Sequence, residues 1–109
     1  MTNLKKAAQV GAKWLDTIHP GWAMKIDLKT LQLRNENLCV LGQCFGNFWA
    51  ALDEYAPKQM NHFLNSSWVV KHGFNLDDAT SMNNGAYERL GLAWAPLIAV
   101  RQVNGGQTS

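Results

Sequence analysis

The sequence has few charged residues, few prolines and no long apolar run. Charged side chains occupy 17% of the 109 positions and the net charge is only +2, without the clustered lysines and arginines that mark a polyanion-binding surface. No stretch approaches the roughly 20 consecutive apolar residues that a membrane-spanning helix needs. The N-terminal segment is amphipathic rather than continuously apolar, so no secretory signal peptide is expected. These absences predict a single soluble domain that resides in the cytoplasm and does not contact a membrane.

The sequence has only two cysteines, and their spacing argues against a disulfide between them. Cys39 and Cys44 lie five positions apart on a predicted helix, which directs their side chains about 140° apart and separates their Cα atoms by roughly 8–9 Å, beyond disulfide reach. The cysteines form no CxxC pair, and His62 and His72 form no HxxxH pair, so we predict no metal site. A buried structural role is favoured for both thiols over a reactive Cys39 in a first helical turn.

Signatures of catalysis are also missing. No serine lies in a GxSxG context, and no glycine-rich loop follows a strand to hold a phosphate. The carboxylates at positions 53–54 and 77–78 are sequence neighbours, which do not face each other on a helix and so do not suggest an acid–base pair. We therefore expect a protein that is not an enzyme, with no catalytic residue and no cofactor.

Helical periodicity is what the sequence does contain. Residues 3–18 place apolar side chains along one helix face, and Pro20 with Gly21 ends this predicted helix. Residues 38–55 predict one broad apolar helix at the centre of the fold, in which Gly42 and Gly46 indicate close approach of another helix or of a side chain to the bare backbone. Residues 58–72 and 86–103 predict two further helices. Pro96 is expected to kink or break the last one near residues 92–95.

These elements together predict the architecture. The sequence indicates a mainly α fold, a small single-domain bundle of about four helices around a central apolar helix. One short β-hairpin is an open addition, because residues 22–33 fit either a short helix or an alternating strand. Residues 1–104 are expected to form the domain and residues 105–109 a flexible C-terminal tail.

Several short strings in the chain form a pattern. They are Pro20-Gly21-Trp22, Ile26-Asp27-Leu28, Cys39-Val40-Leu41-Gly42-Gln43, Gly73-Phe74 and Trp94. In this order they resemble a group of short uncharacterised proteins encoded by actinobacteria and their phages. The resemblance implies a phage or prophage accessory gene, and it implies no activity, because that group has none assigned.

The predicted function is binding of another protein. The five tryptophans are many for this length, and two of them lie outside a clear core stripe, Trp22 after a Pro-Gly turn and Trp68 after two serines. Tryptophan is favoured at interaction hot spots, so Trp22 and Trp68, with Lys25 and Lys71 beside them, are the candidate partner-binding residues. The favoured alternative for both tryptophans is a structural role at the ends of a small core. Such an accessory protein would modulate or inhibit a host system.

A second hypothesis concerns nucleic acid. The polar face of the first predicted helix carries Lys5, Lys6 and Lys13, which could contact phosphates. The alternative function is therefore a small nucleic-acid-binding protein that uses this basic helix face.

Overall fold

The described part of the chain is mainly helical. A computed structural model describes residues 3–55, 67–76, 81–82 and 85–105. Its helices are α1 (Leu4–Ile18), α2 (Val40–Phe45), α3 (Phe48–Tyr55), α4 (Ser67–Lys71) and α5 (Ala86–Val103), with a 3-10 turn at Trp22–Lys25. This arrangement confirms the predicted mainly α bundle. Residues 22–33 form the 3-10 turn and further turns, so the optional β-hairpin is absent from that segment.

The buried face of α1 consists of very small residues, and other parts of the chain lie directly on it. Ala7, Ala8, Gly11 and Ala12 are all buried. A Cβ on Gly11 would lie 2.8 Å from the indole of Trp94 and would also meet the backbone of residue 72. Because such distances leave no room for a methyl group, α1 must present bare backbone where residues 72–73 and α5 cross it.

The predicted central helix over residues 38–55 is wrong as a single element, because it is divided into α2 and α3. Gly46 ends α2 with φ +93°, a left-handed conformation that favours glycine. Asn47 then begins α3, since its Oδ1 accepts hydrogen bonds from the backbone N–H groups of Trp49 at 2.9 Å and Ala50 at 3.4 Å. The break redirects the residues after Gly46 relative to the apolar face of α2.

The string from Cys39 to Gln43 begins α2. Cys39 is its N-cap, and its Sγ accepts a hydrogen bond from the Gly42 backbone N–H at 3.3 Å. A Cβ on Gly42 would lie 2.8 Å from the Cα of Asn37, so the close approach at Gly42 is made by the backbone of the preceding loop and not by another helix or a side chain. Gly46 does not share this role, because nothing lies within 4 Å of its Cβ position.

Gln43 holds the preceding loop against α2. Its Oε1 accepts a hydrogen bond from the backbone N–H of Asp27 at 2.6 Å, and its Nε2 donates to the carbonyl of Leu38 at 2.9 Å. One amide group therefore links two points of the loop that are eleven residues apart in sequence.

Helix α5 crosses the molecule and supplies much of the core. It is continuous through Pro96, so of the kink or break predicted near residues 92–95 the break is absent. The ring of Trp94 lies 5.6 Å from that of Phe74 and 5.9 Å from that of Trp22, and its Nε1 donates to the Gly73 carbonyl at 2.7 Å. The largest fully buried side chains are Trp22, Trp94, Phe74, Leu15, Leu41, Leu52, Leu76, Leu90, Ile98, Val40 and Val69.

A buried ion pair ties α1 to α5. Arg101 donates from Nε and Nη2 to the two carboxylate oxygens of Asp16 at 3.0 and 2.8 Å, and Trp22 Nε1 donates to the same carboxylate at 2.9 Å. Burial by itself would raise the pKa of Asp16, but these hydrogen bonds and the charge of Arg101 outweigh it and hold the pKa below its usual value. In the described residues no helix is long and apolar enough to cross a membrane.

Candidate partner-binding groove

The four residues predicted to bind a partner do not form one surface. Trp22 is fully buried and hydrogen-bonded to Asp16, so the expectation that it contacts a partner is corrected: it is a core residue. Lys25, at the end of the 3-10 turn, is exposed. The prediction failed for Trp22 because the carboxylate that receives its indole N–H lies six residues earlier, on α1, and helix periodicity does not reveal that pairing.

Trp68 lies in an aromatic cluster at the other end of the core. Its ring is partly buried, packs edge-to-face on Trp14 with centroids 5.0 Å apart, and stacks on His72 at 4.1 Å. Burial lowers the pKa of His72, although the nearby carbonyl of Trp68 opposes this shift. Lys71 beside the cluster is exposed. Trp68 is therefore packed against other rings and only partly exposed. The buried Trp22 does not share a surface with it.

The lysines of the nucleic-acid hypothesis lie where that hypothesis needs them. Lys5, Lys6 and Lys13 are all exposed on α1. The acidic residue of this helix, Asp16, is paired with Arg101, and its side chain is only 11% exposed. The solvent face of α1 therefore carries positive charge without an exposed carboxylate.

One concave feature of the described residues is a groove of about 590 Å³, here called the Trp49 groove. It lies among the loop of residues 33–37, the start of α3, residues 74–75 and the first turn of α5. Its lining residues are Leu33, Arg34, Asn35, Glu36, Asn37, Cys39, Phe48, Trp49, Phe74, Asn75 and Tyr87. The volume is in the range of pockets that hold small molecules or a few side chains.

The Trp49 groove has an apolar floor and a polar, aromatic rim. The buried lining residues Leu33, Cys39, Phe48 and Phe74 provide the apolar part. The exposed lining residues are Arg34, Asn35, Glu36, Asn37 and Trp49. An apolar interior surrounded by a polar rim is the usual anatomy of a protein-binding patch.

Trp49 is an ordered aromatic side chain on this rim. It is 38% exposed, and its Nε1 donates a hydrogen bond to Oε2 of Glu36 at 3.0 Å. The Glu36 backbone carbonyl in turn accepts from the backbone N–H of Phe48 at 2.8 Å, and the Phe48 and Trp49 rings meet edge-to-face at 5.3 Å. The indole is thus restrained by one hydrogen bond and one ring contact, while 38% of the residue faces solvent.

Tyr87 and Arg34 form a second ordered feature of the rim. The Tyr87 hydroxyl donates to Oδ1 of Asn75 at 2.8 Å, and Asn75 is itself only 5% exposed. The guanidinium of Arg34 lies 5.5 Å from the centre of the Tyr87 ring, a cation–π arrangement. Tryptophan, tyrosine and arginine, the three residue types enriched at binding hot spots, therefore border one groove.

The thiol in the floor is poorly suited to nucleophilic chemistry. Burial raises the pKa of Cys39, and the neighbouring charge of Glu36 adds to this effect, against partial opposition from backbone hydrogen bonds. Burial also raises the pKa of Cys44, to about 12. Both thiols are free and buried, so each stays protonated and poorly accessible at neutral pH. Within the described ranges, no group of three or more His, Cys, Asp or Glu side chains could hold a metal ion.

The sequence interpretation missed Trp49 because it placed that residue on the buried face of one long helix. A usable signal was present in Gly46-Asn47, which combines a residue that ends helices with one that begins them. The pairing of Trp49 with Glu36 had no sequence signal, since it depends on how the loop of residues 33–37 folds back onto α3. Comparison with known protein families, with characterised proteins and with solved structures gives no match for this chain.

Proposed function

We propose that this chain is a non-enzymatic binding protein whose Trp49 groove receives a segment of a partner protein. The observation that carries the proposal is the ordered, 38% exposed indole of Trp49, fixed by Glu36 at the edge of an apolar-floored groove. An aromatic ring held in place before binding loses little conformational entropy on contact, which is why such rings contribute strongly to affinity.

The lining of the groove indicates what kind of segment fits. An apolar side chain of the partner would enter between Leu33, Phe48 and Phe74, where it would be removed from water. Arg34 and Glu36 supply one charge of each sign at the rim, so the flanking partner residues are expected to be polar rather than strongly charged. This chemistry fits a short peptide segment with one or two apolar anchors.

The biological setting of this activity is also a proposal. The resemblance to short proteins of actinobacteria and their phages favours an accessory protein that modulates or inhibits a host system by binding one of its components. The two buried cysteines, whose pKa values are raised by burial, are poorly suited to nucleophilic chemistry, which favours binding as the proposed activity.

Peptide selection tests the proposed function without knowledge of the host. A random peptide library is displayed and selected against the full chain, and the enriched peptides are synthesised and titrated by fluorescence anisotropy. We expect peptides with shared apolar anchors whose affinity falls by about tenfold or more in Trp49→Ala, the loss typical of a hot-spot residue.

Met24→Ala is the matched control, because Met24 is 56% exposed but lies on the 3-10 turn and does not line the groove. It should leave peptide affinity unchanged. Failure to enrich any peptide, or equal binding to wild type and Trp49→Ala, would overturn the proposal.

Nucleic-acid binding is a second candidate, favoured by one observation. Lys5, Lys6 and Lys13 are exposed on a helix whose carboxylate is occupied by Arg101. If this face binds phosphates, affinity for a fluorescent DNA duplex should fall steeply with salt concentration, and replacing the three lysines with glutamine should abolish it. Absence of a mobility shift at low ionic strength would exclude this candidate.

A further inference from the structure

The loop of residues 32–38 at the rim of the Trp49 groove is closed by its own hydrogen bonds. The backbone N–H of Gln32 donates to the carbonyl of Leu38 at 3.2 Å, and the backbone N–H of Asn35 donates to the carbonyl of Gln32 at 3.0 Å. The side-chain Oδ1 of Asn35 accepts a further hydrogen bond from the backbone N–H of Leu38 at 3.0 Å. Arg34 therefore extends from a closed turn, which restricts its backbone before any ligand binds.

The side chains of this loop use their oxygens within the chain and leave their donors over. Asn35 and Asn37 line the groove, and the Oδ1 of each accepts a hydrogen bond from another part of the chain. Oε2 of Glu36 accepts from the indole of Trp49. Among the described residues, the Nδ2 groups of Asn35 and Asn37 have no acceptor. A ligand at this rim is therefore expected to supply hydrogen-bond acceptors.

Arg34 is the strongest of these donors. Its guanidinium lies 5.5 Å from the centre of the Tyr87 ring, and the Tyr87 hydroxyl is hydrogen-bonded to the buried Asn75. In the part of the chain that the structure describes, Arg34 has no hydrogen-bond acceptor and no ion-pair partner. Contact with a ring leaves the guanidinium N–H groups available, and their fork matches the two oxygens of a carboxylate.

The two charges of the rim are not equivalent. Glu36 is hydrogen-bonded to Trp49 of α3, whereas Arg34 lies over Tyr87 of α5. Arg34 and Glu36 form no ion pair with each other within the described ranges. The negative group is thus partly satisfied inside the chain, and the positive group is not. This asymmetry favours one negatively charged group in a partner segment whose other flanking residues are polar.

We propose that the segment received by the Trp49 groove carries a carboxylate that pairs with Arg34, next to the apolar side chain that enters the groove. This inference rests on the proposed function and narrows its partner to acidic segments. An exposed ion pair ordinarily contributes little to affinity. At this position the cation is already restrained against Tyr87 and the pairing is bidentate, so less conformational freedom is lost on binding.

Peptides selected against the full chain from a library with free C-termini test the inference. We expect an aspartate, a glutamate or the C-terminal carboxylate beside the apolar anchor. Removing this carboxylate, by an Asn or Gln replacement or by C-terminal amidation, should weaken binding by about fivefold in fluorescence anisotropy titrations. The two replacements also distinguish a side-chain carboxylate from a terminal one.

Variants of the chain identify the group that receives the carboxylate. Arg34→Gln should cause the same fivefold loss, and it should abolish the effect of removing the carboxylate from the peptide, because both changes break one interaction. Arg34→Lys keeps the charge without the fork and should fall between wild type and Arg34→Gln. Lys29→Gln is the matched control, since Lys29 is an exposed cation that does not line the groove, and it should bind as wild type does.

The outcomes separate this inference from the proposed function. Selected peptides that depend on Trp49 but carry no carboxylate at the anchor, or whose affinity is unchanged in Arg34→Gln, would overturn the carboxylate pairing and leave the proposed function standing. Peptides that bind wild type and Trp49→Ala equally, or a selection that enriches none, would overturn both. Circular dichroism checks that each variant keeps the helical content of wild type.

Discussion

Replacing Gly11 with alanine measures how much of this fold depends on bare backbone between α1 and the rest of the chain. Gly11 lies in the middle of α1, where alanine would ordinarily stabilise the helix by up to about 1 kcal/mol. At this position, however, the new methyl group would lie 2.8 and 2.9 Å from two carbon atoms of the Trp94 ring and would also meet the carbonyl of His72. The carbonyl belongs to the backbone and cannot rotate away.

The expected effect follows from the balance of these two contributions. Forcing extra atoms into a packed core costs typically about 1–3 kcal/mol, and the rigid contacts at Gly11 favour the upper part of that range. After the gain in helix propensity is subtracted, Gly11→Ala should lower the free energy of unfolding by about 1–2 kcal/mol. For a chain of this size that change corresponds to a decrease in melting temperature of about 5–10 °C.

Gly91→Ala is the matched comparison, because Gly91 is also interior to a long helix. Its added methyl group would make only an ordinary contact, 3.4 Å from Cδ2 of Leu33, so this variant should be more stable than wild type by about 0.5–1 kcal/mol. Urea denaturation monitored by circular dichroism measures both changes. If Gly11→Ala is as stable as wild type or more stable, the inferred close packing of α1 is refuted.

Three further predictions concern ionisable groups. Asp16→Asn should cost about 3 kcal/mol at neutral pH, because it leaves Arg101 without its buried partner. The folded pKa of Asp16 is lowered, so the stability that this pair contributes is present above the unfolded Asp pKa of about 3.9 and is lost as pH falls through the folded pKa. The urea midpoints of wild type and Asp16→Asn should therefore converge in acid. Burial lowers the pKa values of His19 and His72, so the folded protein favours their neutral forms. Their contribution to stability is therefore present above about pH 6.5 and declines below it. Replacing both histidines with glutamine should make the urea midpoint depend less on pH across that range. Cys44, with its pKa raised to about 12, should react with iodoacetamide at neutral pH only after unfolding, and rapid labelling of the native protein would contradict its burial.

Much of the fold was predictable because it depends on local physics. The periodicity of residues 3–18 predicted α1, and the structure places that helix at Leu4–Ile18. The last helix was expected over residues 86–103 and occupies Ala86–Val103. The low propensity of Gly42 in an apolar segment indicated a close approach at this position, but the backbone of residues 36–37 makes it, and not the expected helix or side chain. Helix formation, capping and glycine conformation are governed by residues a few positions apart, so sequence patterns record them.

What only the tertiary structure decided is which apolar side chains face solvent. Trp22 is a core residue whose indole N–H donates to Asp16, a carboxylate that Arg101 holds where α1 packs on α5. Trp49 lies on the surface, where the loop of residues 33–37 places Glu36 within hydrogen-bond reach of its indole. The sequence by itself determined α1, α5 and the small residues of α1 that let other parts of the chain lie closely on it. The surfaces available for binding were decided by contacts between residues distant in sequence, because burial depends on where whole elements pack and not on the pattern within any one of them.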